Sequence, residues 1–71
     1  MTNSVKLREV VRRSGLRYGY IANRLKISAY CLAQKIDNRT EFRASEILYL
    51  SKLLNLTKEE RDEIFFAENV E

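Results

Sequence analysis

The chain has 71 residues, a net charge of +3, one cysteine, no histidine and no proline. That length allows one domain, which buries only about 60% of its unfolded surface. A lone cysteine excludes an internal disulfide, and no apolar run approaches the roughly 20 residues of a membrane span.

The charge is unevenly placed. Residues 1–39 hold nine Lys/Arg against Glu9 and Asp37, for +7; residues 40–71 hold four bases and eight acids, for −4. Such asymmetry suits a polyanion-facing half, or a solvated surface of uneven charge. The first residues lack a basic stretch followed by an apolar block, so no signal peptide is expected. A reducing cytoplasm is the expected location.

Five helices follow in order. Ser4 is the expected N-cap of the first, Val5 to about Ser14, and Gly15 suits the left-handed stop. Leu7, Val10, Val11 and Ser14 share one face. The second runs from Tyr18 to about Leu25, with Ile21, Ala22 and Leu25 inward and Leu16 and Ile27 tucked in at its ends. The third spans Ser28 to about Asp37 and is capped by Ser28. Its Leu32 and Ile36 point inward, and Tyr30, Ala33, Gln34 and Asp37 gather on the other side. Asn38 can end it in the left-handed region.

Phe42 is the expected anchor of the polar loop that follows. The fourth helix covers about Ala44 to Leu54, with Ile47, Leu50, Leu53 and Leu54 in the core and Leu48 and Tyr49 off the stripe. Thr57 and Glu60 form a capping box that opens the fifth helix, where Ile64, Phe65 and Phe66 follow. The last residues, 67–71, are expected to fray. No strand alternation or repeat interrupts this pattern. The fold class is therefore all-α, one compact five-helix domain over residues 1–71.

The stretch from Leu16 to Ser28 resembles the helix-turn-helix of the lambda-repressor-like, Cro-type family. The likeness rests on Leu16, Ile21-Ala22, Leu25, Ile27 and Ser28. It continues through Leu32, Lys35-Ile36, Asn38-Arg39, Phe42, Ser45-Glu46-Ile47 and Leu53 to Thr57. The resemblance implies a helix-turn-helix over about 18–37 that places its second helix in the major groove of operator DNA. Carried over position by position, it makes Ala29, Tyr30, Ala33 and Gln34 the base-reading residues. Gln34 can pair with an adenine edge, and an alanine can meet a thymine methyl. Arg17, Tyr18, Arg39 and Arg43 fall at phosphate-contacting positions.

Three features depart from the family pattern. Lys26 stands where a turn glycine is usual, Ala29 and Ala33 offer only methyls, and three tyrosines crowd the reading region. Tyrosine and arginine are also typical of protein interfaces. A second function therefore stands beside DNA reading: a modulator or antirepressor that grips a partner phage repressor. Its contacts would come from Tyr18, Tyr20, Arg24, Lys26, Tyr30, Gln34 and Lys35. A homodimer also fits, because Leu48, Tyr49, Phe65 and Phe66 exceed what one small core needs.

Catalysis is not expected. Without histidine the commonest neutral-pH base is missing, and no glycine-rich phosphate loop occurs. Cys31 reads as a small half-buried filler. The acids Glu59, Glu60, Asp62 and Glu63 suit a helix start and solvated face better than a metal. No cofactor, small-molecule substrate or membrane partner is implied.

Overall fold

The computed structural model describes residues 1–66, so the expected fraying of 67–71 lies outside the described residues. Five α-helices occupy them: α1 Ser4–Ser14, α2 Tyr18–Leu25, α3 Ala29–Ile36, α4 Ala44–Leu53 and α5 Lys58–Phe65. None is long and apolar enough to cross a membrane.

Three of the five have eight residues. Isolated helices below about 12–15 residues are marginal in water, so packing must hold these in place. One core does so. Leu7, Val10 and Val11 from α1 meet Ile21, Ala22 and Leu25 from α2, Leu32 and Ile36 from α3, Leu50 from α4, and Ile64 and Phe65 from α5. Leu16, Ile27 and Leu56 from the connections pack against it. Phe42 is the loop anchor, its ring edge-on to Phe65 at 5.3 Å. The radius of gyration, 11.2 Å, is that of a well-packed chain of this size, about 11 Å.

Helix ends are set by local chemistry. Ser28 Oγ accepts from the Cys31 N–H at 3.0 Å, and Thr57 Oγ1 from the Glu60 N–H at 3.1 Å. Glu60 reaches back to the Thr57 N–H at 3.0 Å. That bond holds the Glu60 carboxyl below the usual carboxylate range, with Arg13 adding to the effect and desolvation opposing it. The contribution to stability is therefore lost as pH falls through the lowered value. At α1 the cap is Asn3, whose Oδ1 accepts from the Lys6 N–H at 3.1 Å. Ser4, the expected cap, is instead the first helical residue, and its hydroxyl donates to the Ile36 carbonyl.

Helices α2, α3 and α4 are each followed by a left-handed residue, Lys26, Asn38 and Asn55, and α1 by Gly15. After α2 the Ile27 N–H reaches the Ala22 carbonyl at 3.0 Å, which closes a Schellman turn. The same bond pattern follows α3, Arg39 to Gln34, and α4, Leu56 to Ser51. Asparagine tolerates that conformation; lysine adopts it at a cost. Lys26, at φ 62°, is thus a strained corner. Lys26→Gly is expected to raise stability by about 0.5–1 kcal/mol, the left-handed strain removed less the extra unfolded-state freedom of glycine. Thermal melting by circular dichroism measures it. A lowered Tm would show that the lysine stem contributes more packing than the backbone loses.

The beginning of the chain is stitched to distant elements. The Asn3 N–H donates to the Ile64 carbonyl at 2.7 Å. The Thr2 N–H donates to Asn38 Oδ1 at 3.2 Å, and Asn38 Nδ2 donates to the Thr2 carbonyl at 3.0 Å. Arg8 pairs with Asp37 at the end of α3.

Candidate functional site

Helices α2 and α3 pack closely across the short connection Lys26–Ser28, and α3 also rests on α1. Leu32 and Ile36 fix the inner side of α3. Its outer side carries the residues singled out from the sequence. Tyr30 is 73% exposed, Ala29 is exposed, and Ala33 and Gln34 are half-buried. These four lie on one outward side, as the helical spacing requires.

The cations beside this side differ in how they are held. Arg17 is exposed at the N-cap of α2, where its side chain makes no capping bond. Tyr18 packs partly into the core, which leaves it less available than Arg17. Arg39 and Arg43 are exposed in the loop after α3. Asp37, whose charge would oppose a phosphate, is matched by Arg8.

Two expectations are corrected here. Lys35 does not offer its charge to a partner. Its side chain is 13% exposed, and its Nζ donates to Glu46 Oε1 at 3.0 Å and to the Glu41 carbonyl at 3.1 Å. A long cation in the last turn of a helix can fold back across the following loop when a buried acid stands beyond it, as Glu46 does. Cys31 is exposed rather than half-buried, because it lies outside the Leu32–Ile36 stripe of α3.

The residues expected to grip a partner are spread over α2, the corner after it and α3. Tyr20 and Arg24 occupy the outward row of α2, and Arg24 donates to the Tyr20 hydroxyl at 3.0 Å. Its guanidinium also lies over the rings of Tyr20 and Tyr49, at 5.8 and 5.6 Å. Contact with Tyr49 first, then Tyr20, raises its pKa further. Through Tyr49 this row touches α4, whereas Tyr30 and Gln34 belong to α3. Lys26 is exposed at the corner between them.

No protein-family model, characterised protein or solved structure matches the chain. The site is therefore read from its own chemistry. Among the described residues no three His, Cys, Asp or Glu side chains gather as metal ligands would. What the α2–α3 region presents is the outer side of α3, with exposed arginines on the segments before α2 and after α3. Such a face can enter a groove or cover a flat surface.

Sequence reasoning missed two residues. Glu46 is buried, at 7% exposure, and ties α3 to α4. Its position three residues after Arg43 was the available signal, since that is the spacing of a reach-back cap. Tyr49 stacks on Arg24 across two helices, for which no local pattern exists.

Proposed function

We propose that the chain is a helix-turn-helix transcriptional regulator of the lambda-repressor-like, Cro-type kind, placing α3 in the major groove of operator DNA. One observation carries the reading. The outward side of α3 holds Ala29, Tyr30, Ala33 and Gln34, with Arg17, Arg39 and Arg43 on the flanking segments and without ion-pair partners among the described residues. A base-reading helix flanked by phosphate-neutralising arginines needs this division of labour. Gln34 supplies hydrogen bonds to a base, and the alanines leave room for thymine methyls. The basic half of the chain meets the phosphates, and counterion release makes that contact salt-dependent.

The test is a gel-shift titration on duplex DNA flanking the gene, at low and moderate salt, with unrelated duplex as competitor. A discrete, competitor-resistant complex is expected. Gln34→Ala should cost about 1–3 kcal/mol of discrimination at its base, whereas Arg39→Ala should weaken all duplexes alike and reduce the salt slope by about one. Unchanged base preference in Gln34→Ala would remove Gln34 as a reader.

A second reading is favoured by the 73% exposure of Tyr30 on a side with few hydrogen-bonding groups. An exposed tyrosine amid small residues suits a protein contact, as in a modulator acting on a partner phage repressor. Under that reading the protein shifts no DNA alone but alters the repressor's own shift. Tyr30→Ala should then weaken the protein complex by more than about 1 kcal/mol.

A further inference from the structure

A groove of about 420 Å³ runs between α4 and the start of α5, and no residue of α2 or α3 lines it. Leu48 and Leu56 line it, and Leu48 is 52% exposed. Its rim holds Lys52, Lys58 and Arg61, with no carboxylate among the lining residues. Asp62 lies close by and meets Lys58 at 3.3 Å and Arg61 at 3.7 Å. It offsets one of the three charges. Two polar atoms in the lining residues, Ser51 Oγ and Arg61 Nε, are buried without a hydrogen-bond partner. Ser51 as a whole is only 7% exposed.

We propose that this groove docks a carboxylate-rich, aliphatic-bearing segment of a partner protein. The inference goes beyond DNA reading and uses none of its residues. The choice of occupant follows from the surface. The exposed Leu48 lacks apolar cover, which a peptide side chain supplies and a phosphodiester does not. The surplus of positive charge calls for acids on the occupant. Among the described residues of a second copy the acids outside ion pairs are Glu9, Glu41 and Glu59, one each on α1, the loop before α4 and α5, so it offers no cluster of unpaired carboxylates. Asp37, Glu46, Glu60, Asp62 and Glu63 already have cationic partners in their own molecule.

Phage-displayed random dodecapeptides, panned on the immobilised intact protein, provide the test. Enriched sequences should carry Asp or Glu within a few residues of Leu, Ile, Val or Phe. A synthetic copy of the best one should bind at least about tenfold more weakly to Leu48→Glu and to the double variant Lys52→Ala/Lys58→Ala, the loss expected of hot-spot side chains. Both variants alter exposed positions, so their melting should stay near that of the parent, and their gel shifts should be unchanged. DNA binding can thus fail or succeed independently of the groove. The proposal is overturned by no enrichment over blank support, by enriched peptides without acids, or by acidic peptides that bind both variants normally. It is equally overturned if duplex DNA displaces the peptide, or if sedimentation shows a dimer that Leu48→Glu abolishes, since the occupant would then be DNA or a second copy.

Discussion

Replacing Glu46 with alanine is expected to destabilise the protein by about 3–5 kcal/mol, as removal of one partner from a buried ion pair usually does. Helix α4 starts at Arg43, whose side chain has no acceptor to offer its own first turn. The cap comes from the other direction: Glu46 Oε1 accepts the Arg43 N–H at 2.8 Å. The same oxygen receives Lys35 Nζ at 3.0 Å, and the two side chains are 13% and 9% exposed. Alanine at 46 would leave an ammonium in a poorly hydrated place with one backbone carbonyl for company, and would uncap α4. A domain of this length has about 4–10 kcal/mol of stability in total, so the loss would take a large fraction of it. Glu46→Gln keeps an oxygen for Arg43 and should lose clearly less. Urea denaturation of the three proteins is the measurement. Equal losses for Gln and Ala would assign the whole effect to charge, and no loss for either would mean the joint between α3 and α4 does not depend on this residue.

Leu32→Ala should cost about 2–5 kcal/mol, the range for a leucine deleted from a packed core. Leu32 is fully buried and, with Ile36, is one of only two buried residues in α3. An eight-residue helix held by two side chains loses much of its seating when one goes. The expected signature is therefore twofold: a lower Tm, and a loss of the proposed duplex-DNA binding at temperatures where the variant is still folded. Ile64→Ala is the control, since Ile64 is equally buried but lies on α5. It should lower Tm similarly and leave binding intact below the transition. If both variants lose binding in step with Tm, the effect is global unfolding and α3 has no special dependence on Leu32.

The secondary structure was largely legible because its signals are local. The Tyr18–Leu25 helix, the caps at Ser28 and Thr57, and the left-handed residues Gly15 and Asn38 follow from neighbours within a turn. The core stripes were legible for the same reason, since Leu7, Val10 and Val11 or Ile21, Ala22 and Leu25 recur at helical spacing. Misplacement began where a side chain had a distant alternative. Ser4 and Asn3 are both good caps; Ser4 yields the role because its hydroxyl is used by the Ile36 carbonyl, 32 residues away. Phe65 is buried and Phe66 is 54% exposed, a choice between neighbours that periodicity alone leaves open. The candidate site followed the same rule. The outward placement of Ala29 and Tyr30 was readable from their helix, but Lys35 was not, because its fate depends on an acid eleven residues downstream.

The stitching of Thr2 and Asn3 to Asn38 and Ile64 bears on how α3 can meet any ligand. A helix joined to its neighbours by short turns alone could swing or re-form as it binds. Here its exit corner is clasped by Thr2, its last carbonyl by Ser4 and its C-terminal Asp37 by Arg8. Opening it therefore means breaking contacts that also hold α1. The backbone of α3 is in place before any encounter, so the ordering cost of binding falls on a few outward side chains such as Tyr30 and Gln34. At about 0.5–1.5 kcal/mol for each immobilised side chain, that is a small entropic charge against the interface. Association should accordingly behave as rigid docking, with affinity differences among ligands expressed in how long they stay rather than how fast they arrive.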